Sequence, residues 1–153
     1  MRVAVVTGAS SGIGAATARE LARQGWLCVL IARRQERLEP LAAELGGEYE
    51  VCDVSDRADV DRAAAAVLTR HPSIDLLVCN AGIPGRGDFF TLEPERIEAV
   101  LRTNYLGGVW VVRALEPGLR AGSHVVNVVS VAGVVAFAPA GPYAASKLSL
   151  IHI

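Results

Sequence analysis

Aromatic residues make up only 5% of the 153-residue chain, although 52% of it is hydrophobic. The apolar content is therefore chiefly Ala, Val, Leu and Ile, which suits strands buried on both faces between helices rich in small residues. An excess of either charge is also missing. Fifteen basic residues stand against 16 acidic ones, a formal net charge of −1. That balance excludes a broad electrostatic footprint for nucleic acid or an anionic membrane. Cysteine is scarce: Cys28, Cys52 and Cys79 are an odd count without paired spacing, each in or beside an apolar run. They read as buried small hydrophobes in a reducing compartment, which argues against a disulfide or a metal site. His71, His124 and His152 share no ligand spacing either, so no metal is expected. Long apolar runs are absent. The stretch from residue 121 has no formal charge until Lys147, but Asn127, Ser130, glycines and prolines interrupt it. Its best apolar piece is strand-length, so no membrane span is expected. The N-terminal RVAVVT is strand-like and lacks the basic, apolar and cleavage regions of a signal peptide, so a cytoplasmic location is expected.

What is present alternates. Buried strands are predicted at 3–6, 27–32, 49–52, 74–79 and 124–130. Helices are predicted at 12–25, 34–47, 56–70 and about 95–115, with Pro40 awkward in the second. Five short apolar strands separated by helices argue for βαβ units, hence an α/β fold with a doubly wound parallel sheet in a single domain. Ligands of such sheets lie beyond the carboxyl ends of the strands.

The residues at those ends are specific. Strand one is followed by TGASSGIG, Thr7 to Gly14, which opens a helix. Glycines let a phosphate approach the backbone, and the helix N-terminus offers free N–H groups. No GK[ST] follows, which disfavours a P-loop. Strand two ends in IARRQ, with Ala32 where NAD sites often carry an acid and with Arg33 and Arg34 next. Asp53 and Val54 follow strand three, and Asn80, Ala81 and Gly82 follow strand four. Asn104 lies in the long helix, Ser130 ends strand five, and Tyr143 and Lys147 stand one helical turn apart.

Together, TGASSGIG, NAG, TNYLGG and YAASK resemble the short-chain dehydrogenase/reductase family. The resemblance implies a Rossmann-like sheet and a nicotinamide cofactor. It assigns Gly8, Ser10, Ser11, Gly12, Ile13 and Gly14 to the cofactor turn, Asp53 and Val54 to the adenine, and Asn80, Ala81 and Gly82 to the same groove. It implies Asn104, Ser130, Tyr143 and Lys147 as the catalytic set, with Tyr143 and Lys147 also meeting the cofactor. Tyr143 is then the acid or base, its phenolate favoured by the Lys147 ammonium. Ser130 bonds the substrate oxygen, and Asn104 positions a water. The arginines favour NADP(H) over NAD(H), with Arg33 as the main phosphate contact.

The expected substrate is a small carbonyl or alcohol compound, with Phe89, Phe90 and the loop 134–142 lining an apolar pocket. Homodimers or homotetramers are implied for a full-length form. A non-catalytic dinucleotide-binding regulator and an inactive fragment are the competing readings. The resemblance covers residues 1 to about 147. Such enzymes continue the Tyr143 helix and add a sixth strand, a lid and a seventh strand. LSLIHI resembles a translated sequencing-adapter tail, so 148–153 are expected to be non-native. The Tyr143 helix is expected to span two turns at most, with the edge of strand five open and the chain poorly soluble or nearly inactive.

Overall fold

The computed structural model describes residues 1–87, 90–135 and 139–152. Five parallel strands form one sheet in the order β3-β2-β1-β4-β5. They are β1 (Val3–Thr7), β2 (Leu27–Ala32), β3 (Glu48–Val51), β4 (Ile74–Cys79) and β5 (Leu119–Asn127). The helices are α1 (Gly12–Arg23), α2 (Gln35–Leu45), α3 (Arg57–Arg70), α4 (Pro94–Leu101), α5 (Gly107–Leu115) and α6 (Gly141–Ile151). The order reverses at β1, from which the sheet runs to β3 on one side and to β5 on the other. This is the doubly wound α/β architecture that the alternating pattern predicts.

Strand alternation sorts the core. Val5, Val29, Ile31 and Leu77 pack with Val60, Val67, Val111 and Leu115 of α3 and α5. Val6, Leu30 and Val78 pack with Ala15, Ala18, Leu38 and Leu41 of α1 and α2. The inner strands β1, β2 and β4 are thus largely buried on both faces, as parallel strands between helical layers must be. Cys28, Cys52 and Cys79 are free and buried in these two layers. Burial pushes the Cys52 and Cys79 thiols up to about 12 and raises that of Cys28. A thiolate is the reactive form, so the folded chain should resist iodoacetamide at pH 8 at all three cysteines and react at each in urea. Mass spectrometry of the adducts reads this directly; labelling of the native chain would contradict it.

Three element boundaries differ from expectation. The predicted 95–115 helix is interrupted by a π-helical turn, Arg102–Leu106, between α4 and α5. β5 starts earlier than predicted and ends at Asn127. Ile74 pairs with Leu119 but Leu76 pairs with His124, so residues 120–123 bulge out. Gly122 takes φ +95 there, and Ser123 Oγ donates to the Ile74 carbonyl at 2.6 Å. The third is α6. It spans 11 residues, about three turns, because Leu150 is buried and reaches the α5 start at Gly108. α2 runs through Pro40, whose missing N–H removes one rung of its ladder.

The two margins of the sheet differ. At β3, Glu48 and Glu50 pair with Arg70 at 2.7 and 2.8 Å, and Glu50 also meets Arg62 at 3.5 Å. At β5, Val125 and Val126 are 42% and 45% exposed. Among the described residues, no helix is long and apolar enough to cross a membrane.

Candidate cofactor groove and catalytic cleft

The turn after β1 is held in place by β4. Thr7 Oγ1 accepts from the backbone N–H of Asn80 at 3.0 Å and of Ala81 at 3.1 Å, and donates to the Val78 carbonyl at 3.3 Å. Asn80 Nδ2 donates to the carbonyls of Thr7 at 3.0 Å and Gly8 at 3.3 Å. Asn80 therefore ties β4 to the glycine turn, and its amide hydrogens are engaged within the protein. The tie explains two glycines. A Cβ at Gly8 would lie 2.8 Å from Asn80 Nδ2 and the Ala81 Cα; one at Gly14 would lie 2.5 Å from Asn80 Nδ2 and the Gly8 carbonyl oxygen. Gly12 differs: it has φ +54 and open space where a Cβ would stand.

That open space fits a pyrophosphate. Ser11, the N-cap of α1, makes no capping bond with its side chain, and no acid stands in the first turn. The free N–H groups and the positive end of the helix dipole face outward there. Ser10 and Ser11 instead accept from Arg34, at 2.8 and 2.7 Å from its Nη2. Arg33 leans the other way, 3.7 Å from Asp53 Oδ2. Asp53 also holds the loop that begins α3, accepting from Ser55 N at 2.9 Å and Ser55 Oγ at 2.7 Å. The glycine turn, Ala32 to Arg34, Cys52 to Val54 and Asn80 to Ile83 enclose a groove of about 270 Å³. Thr103 completes it; the residue directly precedes Asn104 and opens TNYLGG, but was not singled out from the sequence.

A second cleft of about 450 Å³ opens beside the first. Ile13, Asn80, Gly82 and Ile83 line both, so the two form one continuous depression. Tyr143 and Lys147 wall the far side. The Lys147 ammonium lies 5.8 Å from the Tyr143 ring centre and donates to the Val128 carbonyl at 2.8 Å. Burial lowers the pKa of that ammonium below the ordinary lysine value. Asn104 is 2% exposed. Its Oδ1 accepts from Ile83 N at 2.7 Å, and its Nδ2 donates to the Ile83 carbonyl and to Ser146 Oγ, each at 3.1 Å. Ser146 in turn donates to the Tyr143 carbonyl at 2.7 Å. Ser146 was not singled out from the sequence, although it sits inside YAASK.

Two expected members stand apart. Ser130 caps a short 3-10 turn, accepting from Ala132 N at 3.2 Å, and it does not line the cleft. β5 ends three residues before it, so the hydroxyl serves the local turn. Phe90 is 99% exposed and also stands off the cleft, while Phe89 lies outside the described residues. Among the described residues no cluster of His, Cys, Asp and Glu is placed to hold a metal.

With a glycine turn on a switch-point sheet and a Tyr–Lys pair at the same edge, the fold and groove define a dinucleotide-binding α/β protein. The family model for short chain dehydrogenases matches residues 2–153, and the chain belongs to that family. Among curated relatives, dehydrogenase/reductase SDR family member 7B of Danio rerio is 35% identical over 95% of this chain and 52% of its own length. NADP-dependent 3-hydroxy acid dehydrogenase YdfG of Shigella flexneri is 35% identical over 95% of this chain and 60% of its own. The chain thus spans little more than half the length of these relatives. A similar solved structure is the alcohol dehydrogenase of Thermococcus sibiricus complexed with 5-hydroxy-NADP. Its TM-score is 0.93 at 34% identity, covering 97% of this chain and 66% of that one. Another is an actinorhodin polyketide ketoreductase with NADPH, with TM-score 0.91 at 34% identity, covering 99% of this chain and 61% of that one.

Proposed function

We propose that the chain is the cofactor-binding and proton-transfer part of an NADP(H)-dependent oxidoreductase that interconverts a ketone or aldehyde and an alcohol. One observation carries the reading: the glycine-turn groove runs without interruption into the cleft walled by Tyr143 and Lys147. Bound in the groove, the nicotinamide cofactor supplies or accepts the hydride. Tyr143 gives its phenolic proton to the carbonyl oxygen in the reducing direction and takes it back in the oxidising one. Lys147 places an ammonium beside that ring. Asn104 acts as a positioning residue, because its side chain is committed to Ile83 and Ser146. The NADP-bound and NADPH-bound neighbours and the NADP-dependent relative accord with the cofactor choice. Arg34, fastened to the phosphate turn, is the better-placed partner for a 2′-phosphate; Arg33 is drawn toward Asp53.

The engagement of Ser130 with Ala132 favours one other reading, a non-catalytic dinucleotide-binding regulator. A homodimer or homotetramer is proposed for a longer form, and a cytoplasmic setting for the free thiols.

Fluorescence titration with NADPH and NADH tests the cofactor claim. NADPH is expected to bind more tightly by about 10- to 100-fold, the scale of one or two charge-assisted hydrogen bonds. Arg34→Gln should close most of that gap. Equal affinities in the parent chain would end the NADP(H) proposal. Under the enzyme reading, Tyr143→Phe removes turnover of carbonyl substrates and spares NADPH binding; a parent chain that binds NADPH but turns over no carbonyl favours the regulator.

A further inference from the structure

Among the described residues, the cleft contains one cation that the proton chemistry leaves unused. Arg86 lines the same cleft as Tyr143 and Lys147. Lys147 is committed to Val128, whereas Arg86 has no ion-pair partner among the described residues. Among the described residues that line the cleft none carries an acidic side chain, and the others are mostly aliphatic.

Arg86 also sits on a fastened strap. Asn104 holds both backbone groups of Ile83, and Arg96 donates to the Pro84 carbonyl. Gly87 N donates to the Pro139 carbonyl at 2.9 Å, just before α6. Gly85 packs so closely that a Cβ there would lie 3.0 Å from Val100 and 3.3 Å from the Tyr143 nitrogen. The strap fixes the Arg86 backbone beside the residue proposed to handle the proton. A tethered guanidinium loses less freedom on binding than one on a loose loop.

We propose that Arg86 binds a carboxylate on the substrate, so that the carbonyl compound taken here is an oxo acid and its reduced partner a hydroxy acid. The inference rests on the carbonyl–alcohol reading of the same cleft. A planar guanidinium meets a carboxylate through two parallel hydrogen bonds. The singly charged anion matches the single uncommitted cation among the described lining residues; a phosphate dianion would ask for a second. The aliphatic side chains that share the cleft with Arg86 and Tyr143 take the carbon chain.

Calorimetric titration of the 153-residue chain, saturated with NADP+ so that no ketone is reduced, tests this. The probes are 3-oxobutanoate, 4-oxopentanoate and 5-oxohexanoate, each against its methyl ester. At least one acid should bind about tenfold more tightly than its ester, as one charge-assisted contact implies. The margin should shrink as salt rises. It should vanish in Arg86→Gln and be partly kept in Arg86→Lys. Acids and esters that bind alike in the parent chain overturn the inference, as does a margin that survives Arg86→Gln. Fluorescence titration with NADPH separates the two failures. If NADPH binds and no margin appears, only the anion site falls. If NADPH does not bind, the redox reading falls and the inference with it.

Discussion

Gly14→Ala is expected to destabilise the chain by about 2–3 kcal/mol, the range of an overpacked site, and to abolish cofactor binding. The added methyl group would sit 2.5 Å from both Asn80 Nδ2 and the Gly8 carbonyl oxygen. Neither can withdraw cheaply, because they are hydrogen-bonded to each other and lock the phosphate turn to β4. The better helix propensity of alanine returns only about 1 kcal/mol. The melting temperature should fall by about 4–12 °C, given 2–4 °C per kcal/mol for a chain of this size. Gly12→Ala makes the instructive contrast. Its cost is confined to the left-handed backbone, about 1–2 kcal/mol, because nothing stands within 4 Å of the new methyl. The methyl would instead occupy the space proposed for the phosphate. Thermal unfolding and NADPH titration on both variants decide the matter. A Gly14→Ala chain as stable as its parent would refute the packing account.

Asn104→Ala should cost about 3–5 kcal/mol. Three hydrogen bonds disappear, and the Ile83 N–H loses its Asn104 acceptor in a half-buried place, a penalty of about 1–3 kcal/mol by itself. The damage should spread along the strap. Hydrogen exchange at Ile83 should accelerate by about 100-fold or more, since local opening there no longer breaks a buried bond. Ser146→Ala, which removes two hydrogen bonds and leaves the Ile83 bonds in place, should cost only about 1–2 kcal/mol. If the two variants prove equally stable, Asn104 does not organise the site in the way its contacts suggest.

Much of this architecture is legible in the chain itself. Strands such as Val3–Thr7 and Leu27–Ala32 are continuous aliphatic runs, and no other element suits that pattern between small-residue helices. The glycine turn announces itself by its place between a strand and a helix. Tyr143 and Lys147 declare their shared face by spacing alone. Other features depend on partners distant in sequence. RTNYL carries no sign of a π turn; the turn brings Asn104 to Ile83, 21 residues away. The bulge in β5 depends on Ser123 reaching Ile74, 49 residues away. Arg33 and Arg34 are indistinguishable in composition, and only the direction of the chain leaving β2 sends one to Asp53 and the other to the serines. The placement of Ser130 depends on pairing in a similar way. Strand pairing ends at Asn127, which leaves that hydroxyl to a local cap.

The unequal margins of the sheet make its growth directional. At β3 a strand of four residues is flanked by carboxylates already tied to arginines, and an arriving strand would find little room there and unfavourable charge. At β5 the regular stretch after the bulge, residues 124–127, has no outer neighbour among the described residues and shows its valines. A further strand would therefore meet an open edge at one side and paired carboxylates at the other. The cofactor groove lies at the ends of β1 to β4, away from the outer edge of β5, so a strand added at that edge would leave the groove's lining in place.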